Sequence, residues 1–365
     1  MDFRLRRHQS WGNEVIRRRR ALFVMATTVI CCITYVRFTR VWCCQIYRHS
    51  SHHGNTQTKT DESGVSGQEL TDAKLEAFVR SGQVMKEYQF VVNSEVCSRS
   101  GVSQPVYLVA IVPSKPSNFH ERQAIRQTWG SQFNKNEKLK LIFLSGLADE
   151  VTNMKLSSER DTFSDVVQAD FIDSYKNLTR KTTAMLQWSK QFCPQARYVM
   201  KIDDDVFLES ANLIRMLQLM EGEARAIIGY TTDTREAPIR DSSSKWHLSY
   251  EEYPFERFPR FVHGPSYVIS GDLVTDLNEI SRHVTRIYLE DVYVTGLCAH
   301  IASATIVGTS GLNTGLMYSP VWYMSELAGT SHGFTPLTMR RLWRVLQAWS
   351  SWRPVFRYIG SVVGY

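Results

Sequence analysis

The sequence predicts an α/β fold, a mainly parallel sheet flanked by helices, with a membrane-anchoring segment ahead of it. Three observations predict it. From about residue 90, short apolar runs alternate with stretches of helical periodicity; one of those runs ends in three carboxylates, Asp203, Asp204 and Asp205; and an arginine-rich start precedes sixteen uncharged residues. Strands alternating with helices imply parallel strands covered on both faces. Such sheets bind ligands beyond the carboxyl ends of their strands, which gives the position of the acidic triplet its weight.

The N-terminal segment comes first. Residues 1–50 hold ten arginines against Asp2 and Glu14, while the rest of the chain carries 33 basic and 34 acidic side chains. The net charge of +7 therefore sits at one end. The neutral body excludes a basic nucleic-acid face. Residues 21–36 (ALFVMATTVICCITYV) are short for a membrane span, which needs roughly 17–25 residues. Apolar character resumes past Arg37 and Arg40, however, and these arginines can snorkel to the interface. A cleaved signal peptide would need a small-x-small site, which does not follow Val36, and a buried core helix sits poorly beside Arg17 to Arg20. The reading is an uncleaved signal anchor over residues 21–45 with a cytoplasmic tail over 1–20. A polar stem follows over 46–90, then a folded domain over 91–325 and an amphipathic extension over 326–365. Beyond the span lie Cys97, Cys193 and Cys298, expected in an oxidising lumen where their odd number leaves at least one free or paired between chains.

Within the folded part, residues 106–112 (VYLVAIV) form a buried-strand run that Pro113 stops. Residues 121–129 follow as a helix with Arg122 and Arg126 on one face. That face suits either phosphate oxygens or an acidic pocket wall. Residues 139–144 and 166–171 are further strands. Asp170 and Asp173 come next, with Asp173 or Ser174 placed to cap the helix over 178–192. Lys181 lies in that helix's first turns, where it reaches a diphosphate or simply snorkels. A strand over 198–202, a helix over 211–220 and a strand over 226–230 complete the alternation. Glu290 and Asp291 begin a short amphipathic helix, a place where the helix dipole favours paired acids.

The triplet carries the chemistry. Three adjacent carboxylates repel one another and are not buried without a cation. A plain acidic turn would be solvated, yet Val206, Phe207 and Leu208 follow at once. Carboxylates suit Mn²⁺ or Mg²⁺, ions that commonly bridge substrate phosphates. Alone, the triplet indicates a metal and a phosphate.

Six segments taken together resemble the β-1,3-galactosyltransferase-type enzymes of glycosyltransferase family 31. They stand in family order: RQAIRQTWG (122–130), IFLSG (142–146), DFIDSYKNLTRKT (170–182), KIDDDVF (201–207), FPRFVHGPSYVIS (258–270) and EDVYVTGLC (290–298). The resemblance covers roughly residues 90–310. It implies a GT-A-type fold, a uridine-diphosphate sugar donor, a glycan acceptor on glycoprotein or glycolipid, and inversion at the anomeric carbon. It assigns the base that removes the acceptor proton to Asp291. The metal falls to Asp205 with help from Asp203, and donor contacts to Asp204, Arg122, Arg126, Asp170, Lys181 and Glu290. His300 and His332 are both candidates to complete the metal shell. The sequon at Asn177 falls near the expected donor pocket, so a structural rather than a glycosylated asparagine is expected there. Pro265 and Ser266 after Gly264 depart from the family pattern, so acceptor-side geometry is expected to differ. Cys97 and Cys193 are the candidate disulfide, and the expected setting is the Golgi membrane, single-pass and type II, with the enzyme in the lumen.

Overall fold

The computed structural model describes residues 71–79, 84–97, 105–232 and 234–363. The expected tail and anchor, and most of the stem, lie outside them. Among the described residues no helix is long and apolar enough to cross a membrane.

The described strands are β1 (Phe90–Val92), β2 (Leu108–Pro113), β3 (Leu139–Leu147), β4 (Val166–Ile172), β5 (Tyr198–Ile202), β6 (Val206–Leu208), β7 (Ala226–Gly229), β8 (Ser266–Ser270), β9 (Thr305–Gly308) and β10 (Thr330–His332). Eight of them form one sheet in the order β1-β4-β3-β2-β5-β8-β7-β9, and β10 pairs with β6 apart from it. The sheet is mixed, with β2, β3, β4, β5, β7 and β9 sharing one direction and β1 and β8 reversed. β4, β3, β2 and β5 run parallel, but β1 is antiparallel to β4, and β8 is antiparallel to both β5 and β7. The reason is the connection before β8. The described residues between 230 and 265 hold no helix to carry the chain back across the sheet, and β8 enters against its neighbours' direction.

Side chains on β2 alternate between two cores. Val109 and Ile111 join the Leu178–Phe192 helix through Ala184, Met185 and Trp188. Leu108, Ala110 and Val112 face the Phe119–Gln127 helix and Trp129. Burial on both faces is what made residues 106–112 an unbroken apolar run. The same alternation on β5 puts Met200 and Ile202 in one core and turns Lys201 toward the other.

Two expectations about helices need correction. The helix expected to be amphipathic after Asp291 is a π-helical turn over Val292–Cys298, and every one of its residues is buried. Neither Asp173 nor Ser174 caps the Leu178–Phe192 helix, which instead follows a short 3₁₀ turn over Tyr175–Asn177. The C-terminal Pro336–Ala348 helix packs on the domain, burying Met339, Leu342 and Leu346 in the second core. A disulfide joins Cys97 to Cys193, and Cys298 is free and buried.

Candidate active site

The triplet forms the turn between β5 and β6, beyond the carboxyl end of a parallel strand. Each of its side chains has a different environment. Asp204 accepts hydrogen bonds from Ser114 Oγ at 2.7 Å and Asn118 Nδ2 at 2.9 Å, and so is tied to the end of β2. Asp203 is held by Lys201, whose Nζ lies 2.6 Å from Oδ1. Asp205 faces His332, with Nε2 at 3.1 Å from Oδ2.

His332 reaches this point because β10 pairs antiparallel with β6, setting it opposite Val206. Gly333 then turns with φ +94°, and the amides of Gly333 and Phe334 both donate to the Asp205 carbonyl. A glycine suits this left-handed bend, where a side chain would be strained. Asp203, Asp205 and His332 each bring a ligand atom within 4.8 Å of the others'. Two carboxylate oxygens and an imidazole nitrogen fit a divalent cation such as Mn²⁺ or Mg²⁺. His332 is therefore the histidine the fold brings to the triplet, although it lies beyond residue 325, in the stretch expected to be a mere extension.

Lys201 is the residue at the centre of this arrangement that the sequence did not single out. It is buried inside β5 and also bonds Glu290 Oε1 at 2.9 Å and the Gly264 carbonyl. Burial opposes its charge, but Asp203 and Glu290 overcome that and push its pKa above the usual lysine value. A lysine within the apolar run YVMKI, directly before three acids, was the signal available.

Across this bridge stand Glu290 and Asp291. Glu290 Oε2 accepts from Thr182 Oγ1 at 3.0 Å and Tyr267 OH at 3.2 Å, so both its oxygens are engaged. Asp291 is half-buried, and its oxygens accept from the amides of Gly264 and Val292. A Cβ at Gly264 would meet Glu290 Oε1 at 3.1 Å and Asp291 Oδ2 at 3.2 Å, so a side chain there would press on both acids by a few tenths of an ångström. The Pro265 carbonyl, next along the chain, accepts from the Asp203 amide and so ties the two acidic groups together.

The excess of carboxylates over cations shows in the proton affinities. Burial pushes Asp203 up to about 7, with Lys201 opposing and Glu290 and Asp205 adding to the rise. Burial and then Glu290 raise Asp291 to about 6. The His332 imidazole is held above its ordinary value chiefly by its bond to Asp205.

The other expected donor residues divide. Lys181 is buried beside the triplet, bound to Asp173 at 2.8 Å and to the Ser114 carbonyl, with burial pulling its pKa down. Of the two partners left open for Arg122 and Arg126, the structure shows an acidic wall. Arg122 forks onto Glu159, and Arg126 bonds both Glu159 and Asp165. Arg122 still touches the site indirectly, through a 3.1 Å bond to Ser114 Oγ. Asp170 is exposed on β4, accepting from the Gln89 amide, and is not part of the cluster. At the sequon, the Asn177 side chain donates to the Ile172 carbonyl, and the Thr179 hydroxyl is buried against the Ile287 carbonyl.

A strand-end set of carboxylates fit for a cation, beside a half-buried acid of raised proton affinity, marks a candidate active site. Sequence comparison identifies which kind. A sequence model described as "Galactosyltransferase" matches residues 120–308. The chain is 34% identical over 269 residues to the rat UDP-GalNAc:beta-1,3-N-acetylgalactosaminyltransferase 1, covering 72% of this chain and 80% of that one. It is 36% identical over 261 residues to mouse beta-1,3-galactosyltransferase 1, covering 70% and 78%. It is also 36% identical over 249 residues to human beta-1,3-galactosyltransferase 5, covering 67% and 79%. The chain belongs to the galactosyltransferase family and is a glycosyltransferase that transfers a hexose.

Proposed function

We propose that this enzyme moves galactose from UDP-galactose to a glycan acceptor in β-1,3 linkage, with inversion and with a divalent metal. The observation that carries the reading is the convergence of Asp203, Asp205 and His332 on one side of Lys201, with Glu290 and Asp291 on the other. Asp203, Asp205 and His332 would hold the metal, which when bound supplies positive charge to offset the departing diphosphate. Asp291 takes the proton of the attacking hydroxyl. Its pKa of about 6 keeps it a carboxylate at neutral pH while leaving it more basic than an ordinary aspartate. Lys201 and Tyr267 neutralise and fix Glu290, so the second acid of the pair stays the freer one. Asp204 and Lys181 are placed to meet the donor, since each is fixed at the end of β2 beside the triplet.

The relatives include transferases named for galactose and one named for N-acetylgalactosamine, so the donor sugar is the part of the reading most in need of test. A soluble domain of about residues 70–365 should be screened with Mn²⁺ against UDP-galactose, UDP-N-acetylgalactosamine and UDP-N-acetylglucosamine, using simple β-linked acceptors. Transfer from UDP-galactose in β-1,3 linkage is expected. Preference for another donor would replace the galactose assignment, and no turnover with any donor would favour a catalytically silent binding protein of the same fold. The proposed setting is the lumenal face of the Golgi membrane, anchored by residues 21–45. Protease protection of the full chain in sealed microsomes would test that topology.

A further inference from the structure

Residues 239–255, within the long connection ahead of β8, form a loop whose function the donor chemistry does not use. The loop is wrapped around one guanidinium. Arg240 donates to the carbonyls of Leu248, Ser249, Tyr253 and Phe255 at 2.7–2.9 Å and lies 3.9 Å from the centre of the Tyr250 ring. Five ordered contacts from one side chain make this a fixed element. It is also pinned to the segment that carries the base. Tyr288, three residues before Asp291, donates its hydroxyl to the carbonyls of Lys245 and His247.

What this scaffold holds out is Trp246, an indole that is 46% exposed. Exposure of so large an apolar side chain on a braced loop is a feature of recognition surfaces. The ring is not isolated. Lys245 Nζ lies 4.4 Å from its centre, and the Tyr288 hydroxyl that bonds the carbonyls on either side of it joins this loop to the turn carrying Tyr175, itself 44% exposed. Burial raises the Tyr175 pKa, and the charges of Asp291, Asp203 and Glu290 add to the rise, in keeping with a place near the carboxylate cluster. Lys176 beside it lies over the Tyr288 ring at 5.4 Å, so the three aromatic rings belong to one connected surface. Tyr175 comes from the turn after β4, Trp246 from the long loop and Tyr288 from the approach to the base, so the surface exists only in the folded chain.

We propose that Trp246 and Tyr175 form the binding platform for the acceptor sugar, a pyranose whose apolar C–H face stacks on the indole while its hydroxyl reaches Asp291. This rests on the reading of Asp291 as the base on the acceptor side. A pyranose presents just such a flat C–H face, and the hydroxyl groups at its edge suit the nearby carboxylates, lysine ammonium groups and tyrosine hydroxyl. The Arg240 scaffold and the Tyr288 hydroxyl act as positioning elements, setting the height of the indole relative to Asp291.

The test is steady-state kinetics with donor and acceptor varied separately, using the acceptor on which the wild-type enzyme is active. Trp246→Ala is expected to raise the acceptor KM about tenfold or more, with the donor KM unchanged. Trp246→Phe, which keeps a stacking ring, should recover most of that loss. Tyr288→Phe removes only the bonds that pin the loop and should raise the acceptor KM by less than Trp246→Ala, with the circular-dichroism melt unchanged. An unchanged acceptor KM in a folded Trp246→Ala enzyme would overturn the platform while leaving the transferase reading intact. A rise in donor KM instead would move the loop to the donor side and equally overturn it. A wild-type enzyme that transfers to no acceptor would refute the function on which the inference rests.

Discussion

Two charge clusters, one buried and one partly open to solvent, lie one on each side of Ser114, and they are built on opposite principles. On one side, Arg122 and Arg126 meet Glu159 and Asp165, two cations with two anions, each guanidinium forked onto carboxylate oxygens. On the other, Lys201 bonds Asp203 and Glu290 while Asp204, Asp205 and Asp291 stand next to them in sequence, with Lys181 already committed to Asp173. The first cluster closes on itself. Burial would raise Glu159, but Arg122 and Arg126 hold it below the ordinary carboxylate range. In the second, Asp203 and Asp291 are pushed up, because burial and like charges exceed what Lys201 supplies. Neutrality marks a cluster that stabilises the fold; surplus charge marks one that works on something brought from outside.

Substitutions can break or sharpen that contrast. The largest effect is expected for Asp205→Ala, which should abolish transfer and the metal-dependent part of donor binding, read by calorimetry with and without Mn²⁺. Retained metal-dependent binding would return Asp205 to the structural side of the comparison. Asp291→Asn should lower kcat by about 10³-fold, within the range a general base contributes, while UDP binding stays normal. Near-normal turnover in this variant would move the base elsewhere.

The closed cluster should respond in stability instead. Arg122→Met leaves Glu159 buried without its fork and should cost about 3–5 kcal/mol in denaturant unfolding. Adding Glu159→Leu should restore much of that loss. If the single variant keeps its stability but loses donor binding, the two clusters are one site, joined through Ser114.

The mildest test is the pH profile of kcat/KM. Asp291 is raised from 3.8 to about 6, so the folded protein holds this proton more tightly than the unfolded chain does. The active carboxylate form is therefore lost as pH falls through about 6, and with saturating Mn²⁺ to keep Asp203 ionised, kcat/KM should decline below that value and level off above it. The same shift means that the contribution of this group to stability falls as pH rises from about 4 to 6. A profile flat down to pH 5 would show that burial does not control this carboxyl.

Much of the fold was legible because local pattern and tertiary environment agree. The helix expected over 178–192 and the strand over 198–202 have those bounds in the structure, since an amphipathic stripe and an unbroken apolar run each have one stable burial. The three-residue strands β1, β6 and β10 escaped notice because so short a run carries no period. β8 was hidden for a different reason: its residues were recognised as a family segment, but pairing direction is set by the path of the preceding loop.

The site divides along the same line. The sequence by itself determined the acidic triplet, its place after a strand, the acid pair at 290–291 and the family they indicate, because these are contiguous residues whose chemistry does not depend on distant neighbours. Only the tertiary structure decided that His332 and not His300 meets Asp205, that Lys201 bridges the two acidic groups, and that Arg122 and Arg126 meet protein carboxylates. Charge along a chain records how many carboxylates and cations there are. Which of them neutralise one another depends on contacts between residues 33 to 127 positions apart, such as Arg126 with Glu159 and His332 with Asp205, and the chain acquires those only when it folds.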